Sequence, residues 1–164
     1  MKNFEIDKIK SLIIDVPDFP KKTVIFKDIS DLLGSDYFKV IVTEMGNMVT
    51  KPDYWVGIES RGFVFASALS IIFGGKLLLC RKGGKLPPPV VSTKYSKEYG
   101  EDVLEVKKGE GTVVIVDDVL ATGGTIMAVD KLMCDAGYTV IDKLVLINLK
   151  KLNNLTIKSL IEYE

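Results

Sequence analysis

The run Val113-Val-Ile-Val-Asp-Asp-Val-Leu-Ala-Thr-Gly-Gly-Thr125 constrains this chain more than any other stretch. Val113, Val114, Ile115 and Val116 are apolar and β-branched, the pattern of a short strand buried on both faces. At the carboxyl end of that strand stand two acids, Asp117 and Asp118. Ala121-Thr-Gly-Gly-Thr125 follows, and then Ile126, Val129, Leu132 and Met133 recur at helical spacing. A strand feeding a Gly-rich loop that opens a helix is a cradle for an anion. Gly123 and Gly124 let the backbone approach closely, the helix start presents unpaired N–H groups, and Thr122 and Thr125 add hydroxyl donors.

The acids narrow the choice of anion. Two carboxylates beside a phosphate repel it unless donors or a cation stand between. A ribose phosphate meets both demands, because its hydroxyls donate to the carboxylates while its 5′-phosphate sits in the loop. The helix dipole contributes only about 0.3–1 kcal/mol, so charge-assisted hydrogen bonds at about 1.5–3 kcal/mol each would dominate. The plain alternative is a strand ending in two solvated acids, followed by an ordinary helix cap.

At 164 residues the chain is long enough for one domain with a full core. Its 22 basic residues balance 22 acidic ones, which gives no electrostatic footprint for nucleic acid or an anionic membrane. Histidine is absent, so His-based general catalysis, triads and His metal sites fall away. Cys80 and Cys134 form no close-spaced metal or redox motif and are expected as buried thiols of a cytoplasmic protein. The longest apolar region, 63–80, is interrupted by Gly74, Gly75 and Lys76 and is too broken to span a bilayer.

In chain order, Ile6, Ile9, Leu12 and Ile13 predict a first amphipathic helix ended by Pro17 and Pro20. An extended piece, Phe19 to Ser30, runs into a turn. Asp36 is the expected cap of a helix that carries Phe38, Ile41, Val42, Met45, Met48 and Val49 on one face. Tyr54 to Ile58 reads as a second buried strand, and Glu59-Ser-Arg-Gly-Phe63 leads from it into a helix through Ala68 and Ile72. Leu77 to Cys80 is a third strand. It opens into Arg81-Lys-Gly-Gly-Lys-Leu-Pro-Pro-Pro89, a mobile basic loop with a stiff end. Gly137 stops the helix after the central motif, and Thr139 to Leu149 supplies another strand. The predicted fold is α/β, a mainly parallel sheet of four or five strands flanked by helices on both faces, with ligand at the carboxyl ends of the strands.

Four stretches in order resemble the type I phosphoribosyltransferases: Phe19-Pro…Val-Ile-Phe-Lys-Asp28, Glu59-Ser-Arg-Gly62, Arg81-Lys…Lys-Leu-Pro87 with Tyr95-Ser-Lys-Glu-Tyr99, and the central motif. The Leu-Ala-Thr-Gly-Gly-Thr wording is nearest the adenine-specific members, and the resemblance spans about 19–149. It implies a single domain, 1–164, with a small hood made from about 1–35 and the C-terminal segment. It also implies transfer of the 5-phosphoribosyl group from phosphoribosyl diphosphate (PRPP) to N9 of adenine, giving AMP and diphosphate.

By that resemblance Asp117 and Asp118 hold the ribose diol, and Ala121, Thr122, Gly123, Gly124 and Thr125 grip the 5′-phosphate. Ser60, Arg61, Arg81, Lys82 and Lys85 receive the diphosphate, with a non-proline cis peptide near Ser60–Arg61. Ile25 and Lys27 read the purine edge through their backbone, Phe26 stacks on one purine face and Leu149 packs on the other. Glu98 assists the protonation state of the purine, and Tyr95 and Tyr99 belong to the closing lid. Core packing of Phe26 and Leu149, a solvated basic loop and an idle Glu98 are the alternatives at those positions. Mg²⁺ is implied, held by substrate and water rather than directly by the protein, as is a homodimer. The sequence departs from the family at Lys22-Thr23, where Pro-Gly is usual, at Lys27 for Arg, and at Pro88 for Gly.

Ala121 stands where relatives acting on 6-oxopurines usually carry an acid, and the aromatic Phe26 hood replaces their lysine. Both features favour a 6-amino purine. A phosphoribosyltransferase for another base, and a PRPP-sensing regulator without turnover, are the competing readings. No Gly-x-Gly-x-x-Gly follows a strand and no Gly-x4-Gly-Lys-Ser/Thr is present, which argues against dinucleotide-binding oxidoreductases and P-loop NTPases.

Overall fold

The computed structural model describes residues 3–97 and 100–164. The chain divides into two compact units, Met1–Glu44 and Met45–Glu164.

In the first unit, helix α1 (Asn3–Ser11) ends two residues short of Ile13. The apolar spacing through Leu12 and Ile13 suggested a longer helix. Instead the β-branched Ile14 and Val16, ahead of a proline that disfavours helical backbone before it, extend into strand β1 (Ile14–Pro17). This strand pairs antiparallel with β2 (Ile25–Asp28), setting Asp15 opposite Lys27 and Val16 opposite Phe26. In the connection, Thr23 has φ +73° and its N–H donates to Asp18 Oδ1 at 2.8 Å. A positive φ at a β-branched residue is rare, and it falls where the family's usual residue is glycine. Asp28 Oδ1 accepts from the Ser30 N–H and hydroxyl at 2.9 and 2.6 Å, opening a short helix, α2 (Ser30–Leu33). Helix α3 (Tyr37–Asn47) follows and buries Ile41, Val42 and Met45. The side-chain oxygen that accepts from its first N–H is the Ser35 hydroxyl, at 3.2 Å from Tyr37 N, rather than the carboxylate of the expected Asp36.

The second unit holds a seven-stranded sheet in the order β5-β6-β4-β3-β7-β8-β9. Its parallel centre consists of β4 (Lys76–Lys82), β3 (Tyr54–Ile58), β7 (Gly111–Leu120), β8 (Tyr138–Leu149) and β9 (Lys158–Tyr163). The hairpin of β5 (Val91–Lys97) and β6 (Gly100–Val106) adds on antiparallel beside β4. From β3 the chain crosses through α4 (Gly62–Phe73) to β4, and from β7 through α5 (Gly124–Asp135) to β8 on the other side. The two crossovers diverge between β3 and β7. Parallel sheets bind ligands at such a reversal, outside the carboxyl ends of the strands.

Alternation divides the core between two faces. Val56, Ile58, Val113 and Ile115 cluster with Ile126, Val129, Leu132 and Met133 of α5. On the opposite face Gly57 backs onto α4, where an added Cβ would stand 3.1 Å from that of Ala66. Residues Val113–Val116 are fully buried, worth about 1.5–3 kcal/mol apiece relative to exposure.

Strand β7 runs four residues past the expected Val116, because β8 offers partners as far as Leu120↔Asn148. Pairing with β3 stops at Gly57↔Val116. Asp117 and Asp118 therefore lie within a strand, just past the point where one neighbour ends. Helix α5 stops as expected, with Ala136 its last right-handed residue and Gly137 at φ +98°. Cys80 is buried, but Cys134, expected inside, lies on the exposed side of α5. Among the described residues no helix is long and apolar enough to cross a membrane.

Candidate active site

Three loops meet at the reversal between β3 and β7. Around a cavity of about 230 Å³ stand Glu59, Ser60 and Arg61 after β3, Lys82 at the end of β4, Tyr95 and Leu104 from the hairpin, and Asp117, Asp118 and Thr125. A smaller cavity of about 90 Å³ lies in the β7–α5 loop, lined by Ala121, Thr122, Gly123 and Gly124. Asp117 and Thr125 border both.

In the smaller cavity, Gly123 is the left-handed residue that turns the chain into α5, at φ +88°. The first turn of α5 offers its N–H groups beside the hydroxyls of Thr122 and Thr125. In the larger cavity, Arg61 Nε stands 2.7 Å from Asp118 Oδ2. Among the described residues no donor is aligned on that buried oxygen as a hydrogen bond, so the contact is a charge pair. A non-proline cis peptide joins Glu59 and Ser60, one bond before the expected place. Gly62 lets α4 start hard against β7, since a Cβ there would stand 2.6 Å from Val116 O.

The basic segment after β4 is fastened rather than loose. Glu59 Oε2 accepts from Arg81 Nε at 3.1 Å and Lys82 N at 3.0 Å. Glu105 on β6 accepts from Gly84 N at 2.6 Å and Leu86 N at 3.4 Å. Lys107 Nζ donates to the carbonyls of Pro87 and Pro89. Lys82 lines the cavity, whereas Arg81 is engaged with Glu59 and the Lys85 carbonyl, and neither Arg81 nor Lys85 lines either space. Sequence reading gave Glu59 and Glu105 no role. Their partners lie 19–23 residues away along the chain, out of reach of any local pattern.

Burial, and then the charge of Asp118, hold the Asp117 carboxyl well above its ordinary pKa. Glu59 moves the other way: burial pushes it up, but the Lys82 N–H and Arg81 outweigh burial and leave it lowered. Burial, with Asp117 and Glu59 nearby, pushes the Cys80 thiol up to about 12, so it stays protonated.

For Asp117 the folded protein holds the proton more tightly than the unfolded chain does. Its contribution to stability is full below the unfolded carboxyl pKa, about 3.9, and is lost as pH rises through the raised folded value. Asp117→Asn is therefore expected to raise the Tm of the ligand-free protein at pH 8. About 1 kcal/mol, or about 2–4 °C, is the expected size. The gain should vanish near pH 4, and thermal melts at the two pH values check it. A lower Tm at pH 8 would mean that the carboxylate is stabilised where it stands.

Residues 39–154 match the family model of the phosphoribosyl transferase domain. The adenine phosphoribosyltransferase of Bdellovibrio bacteriovorus is 45% identical over 163 residues, covering 94% of this chain and 99% of its own. This chain belongs to the adenine phosphoribosyltransferase family. The crystal structure of the Rhodothermus marinus adenine phosphoribosyltransferase superposes with a TM-score of 0.88 at 31% identity, covering 99% of this chain and 100% of its own. That of the Giardia lamblia enzyme, complexed with 9-deazaadenine, gives 0.88 at 30%, covering 97% and 98%.

The adenine phosphoribosyltransferase resemblance also marked residues on β2, at the end of β8 and at 98–99. On β2, Ile25 is exposed, Phe26 meets Phe19 edge-on at 5.1 Å between centroids, and the buried Lys27 pairs with Asp15 at 2.6 Å. Leu149 closes β8 and is partly buried. Glu98 and Tyr99 lie outside the described residues. Pro88, where the family usually has glycine, is joined to Pro89 by a cis bond.

Proposed function

We infer that this chain transfers the 5-phosphoribosyl group of PRPP to N9 of adenine, releasing diphosphate and forming AMP, a purine-salvage reaction. The observation that carries this reading is the pair of adjoining cavities joined by Asp117 and Thr125, in a chain of this family. Spacing of this kind suits one sugar with a phosphate at C5 and a diphosphate at C1.

In the reaction N9 of adenine bonds to C1 of the ribose, the bond from C1 to the diphosphate oxygen breaks, and the proton on the purine is lost. Positive charge grows on the ribose ring as the diphosphate departs. Catalysis is then placement and charge management. Asp117 and Asp118 take the ribose diol and hold anionic charge under the developing cation. Thr122, Gly123, Gly124 and Thr125, with the Ala121 backbone, hold the 5′-phosphate. Ser60, Arg61 and Lys82 face the diphosphate; Arg81, bonded to Glu59 and the Lys85 carbonyl, and Lys85 are assigned to support that loop. Ile25, Phe26, Lys27 and Leu149 are assigned to adenine, within a hood drawn from about 1–35 and the end of the chain. Glu98 manages the purine proton, and Tyr95 and Tyr99 close the site against water.

Mg²⁺, when bound, supplies charge neutralisation for the diphosphate and ribose oxygens. The donor set fits such an ion, since Asp117 and Asp118 line the larger cavity with hard oxygens. Family resemblance leaves most of its ligands to substrate and water. Family resemblance further supports a cytoplasmic homodimer.

The test is diphosphate release from PRPP and Mg²⁺ with each purine in turn. Adenine is expected to be turned over at least about 100-fold better than hypoxanthine or guanine, in keeping with a site built around a base's polar edge. Equal rates with adenine and hypoxanthine would refute the base assignment, and no release with any base would refute the reaction.

A further inference from the structure

We propose that Asn153 is a positioning residue for the 5′-phosphate loop, an inference that rests on the function assigned above. Asn153 lies between β8 and β9, 32 residues beyond the loop it touches. Its Nδ2 donates to Ala121 O at 2.7 Å, and also reaches Asn148 Oδ1 and Leu149 O at 3.1 Å each. Its Oδ1 accepts from Leu155 N at 3.1 Å, which folds the segment back on itself. A methyl of Leu155 then occupies the space that a Cβ on Gly123 would need. The segment is therefore seated on the phosphate loop twice, by a hydrogen bond at Ala121 and by packing at Gly123.

The geometry gives the hydrogen bond a direction of action. The Ala121–Thr122 peptide is planar and trans. A carbonyl held against Asn153 turns the Thr122 N–H the opposite way, and Thr122 lines the smaller cavity assigned to the phosphate. Asn153 thus aims one of the donors of the cradle without touching the ligand. Asn148 supports the same arrangement. It is fully buried, its Oδ1 meets Asn153, and its Nδ2 has no partner among the described residues. An unpaired buried amide hydrogen is unfavourable, and an apolar side chain there would avoid it. Retaining an asparagine makes sense if its oxygen orients Asn153.

Calorimetric titration of wild type, Asn153→Asp and Asn153→Ala with ribose 5-phosphate and, separately, with inorganic diphosphate tests the proposal. Asn153→Asp keeps an acceptor for Leu155 N and loses the donor to Ala121 O, and Asn153→Ala removes the donor without adding charge. Both are expected to weaken ribose 5-phosphate about tenfold or more. Diphosphate, assigned to Ser60, Arg61 and Lys82, should change by less than about twofold. If one variant fails to fold, the other gives the same comparison. Unchanged ribose 5-phosphate affinity would overturn the proposal, as would equal weakening of both ligands, which marks general loosening. Wild type binding neither ligand would instead bring down the assigned function, and this inference with it.

Discussion

Asp118→Asn is expected to lower kcat/KM for PRPP by about 10²–10³-fold while leaving the protein folded. The substitution keeps the shape of the side chain and removes its charge at a position only 5% exposed. Two losses combine. A hydroxyl of the ribose diol exchanges a charge-assisted acceptor for a neutral one, worth about 1.5–3 kcal/mol. The ring also loses an anion beneath it as positive charge develops, a term that grows toward the transition state and so falls on kcat. Together about 3–4 kcal/mol gives the stated range. The neighbouring Asp117→Asn offers a control of unusual sharpness. It should also impair turnover, yet raise the Tm at pH 8, because the Asp117 carboxyl is held above its ordinary pKa by burial and by Asp118. Asp118 instead has Arg61 at 2.7 Å, and removing its charge should leave the Tm unchanged or lower. Steady-state kinetics with melts of both variants separate the two acids. Matching changes in Tm would mean that the pair is not divided as argued.

The second large effect is expected from Gly62→Ala. Helix propensity alone predicts stabilisation by about 0.5–1 kcal/mol, since glycine is the poorer helix former. The packing predicts the reverse. An added Cβ would stand 2.6 Å from Val116 O and 3.2 Å from Asp117 Oδ1, and a main-chain oxygen in the central strand cannot move aside cheaply. The start of α4 must withdraw from β7 and take Arg61 away from Asp118. Overpacking of this kind costs about 1–3 kcal/mol, so the Tm should fall by about 2–12 °C. Turnover should fall at least about 100-fold at temperatures where the variant is still folded, since a displacement near 1 Å is enough for that. A variant with wild-type Tm and activity would show that the helix does not need to start so close.

How far the sequence could be read depends on how far apart the interacting residues lie. The central motif was legible because strand, acids, glycines and helix start are consecutive, and each has a local reason for its place. Gly137 was legible for the same reason, as a glycine at the end of a periodic run. The extent of β7 was not, because Asp117 and Asp118 are drawn into the strand by β8, whose partner residues begin 18 positions beyond Leu120. The basic segment looked loose because its restraints, Glu59 just after β3 and Glu105 on β6, come from distant parts of the chain. The end of α1 was misjudged because Leu12 and Ile13 keep the helical spacing while the residues after them pair with β2. Strand β9 was missed because Lys158 and Glu162 interrupt its apolar residues, and Asn153 carried no local signal at all. Local chemistry therefore pointed to what the site does, while the long-range contacts that hold it in shape became visible only in three dimensions.

The claim on which the rest stands is that one sugar phosphate fills both adjoining cavities, with Asp117 and Asp118 on its ribose. A crystal structure of the protein with PRPP and Mg²⁺ measures this directly. The account predicts the 5′-phosphate within the loop of Ala121 to Thr125, the ribose hydroxyls on the two carboxylates and the diphosphate beside Ser60 and Arg61. Density for PRPP elsewhere, with that loop holding only solvent at a saturating concentration of the donor, would contradict it.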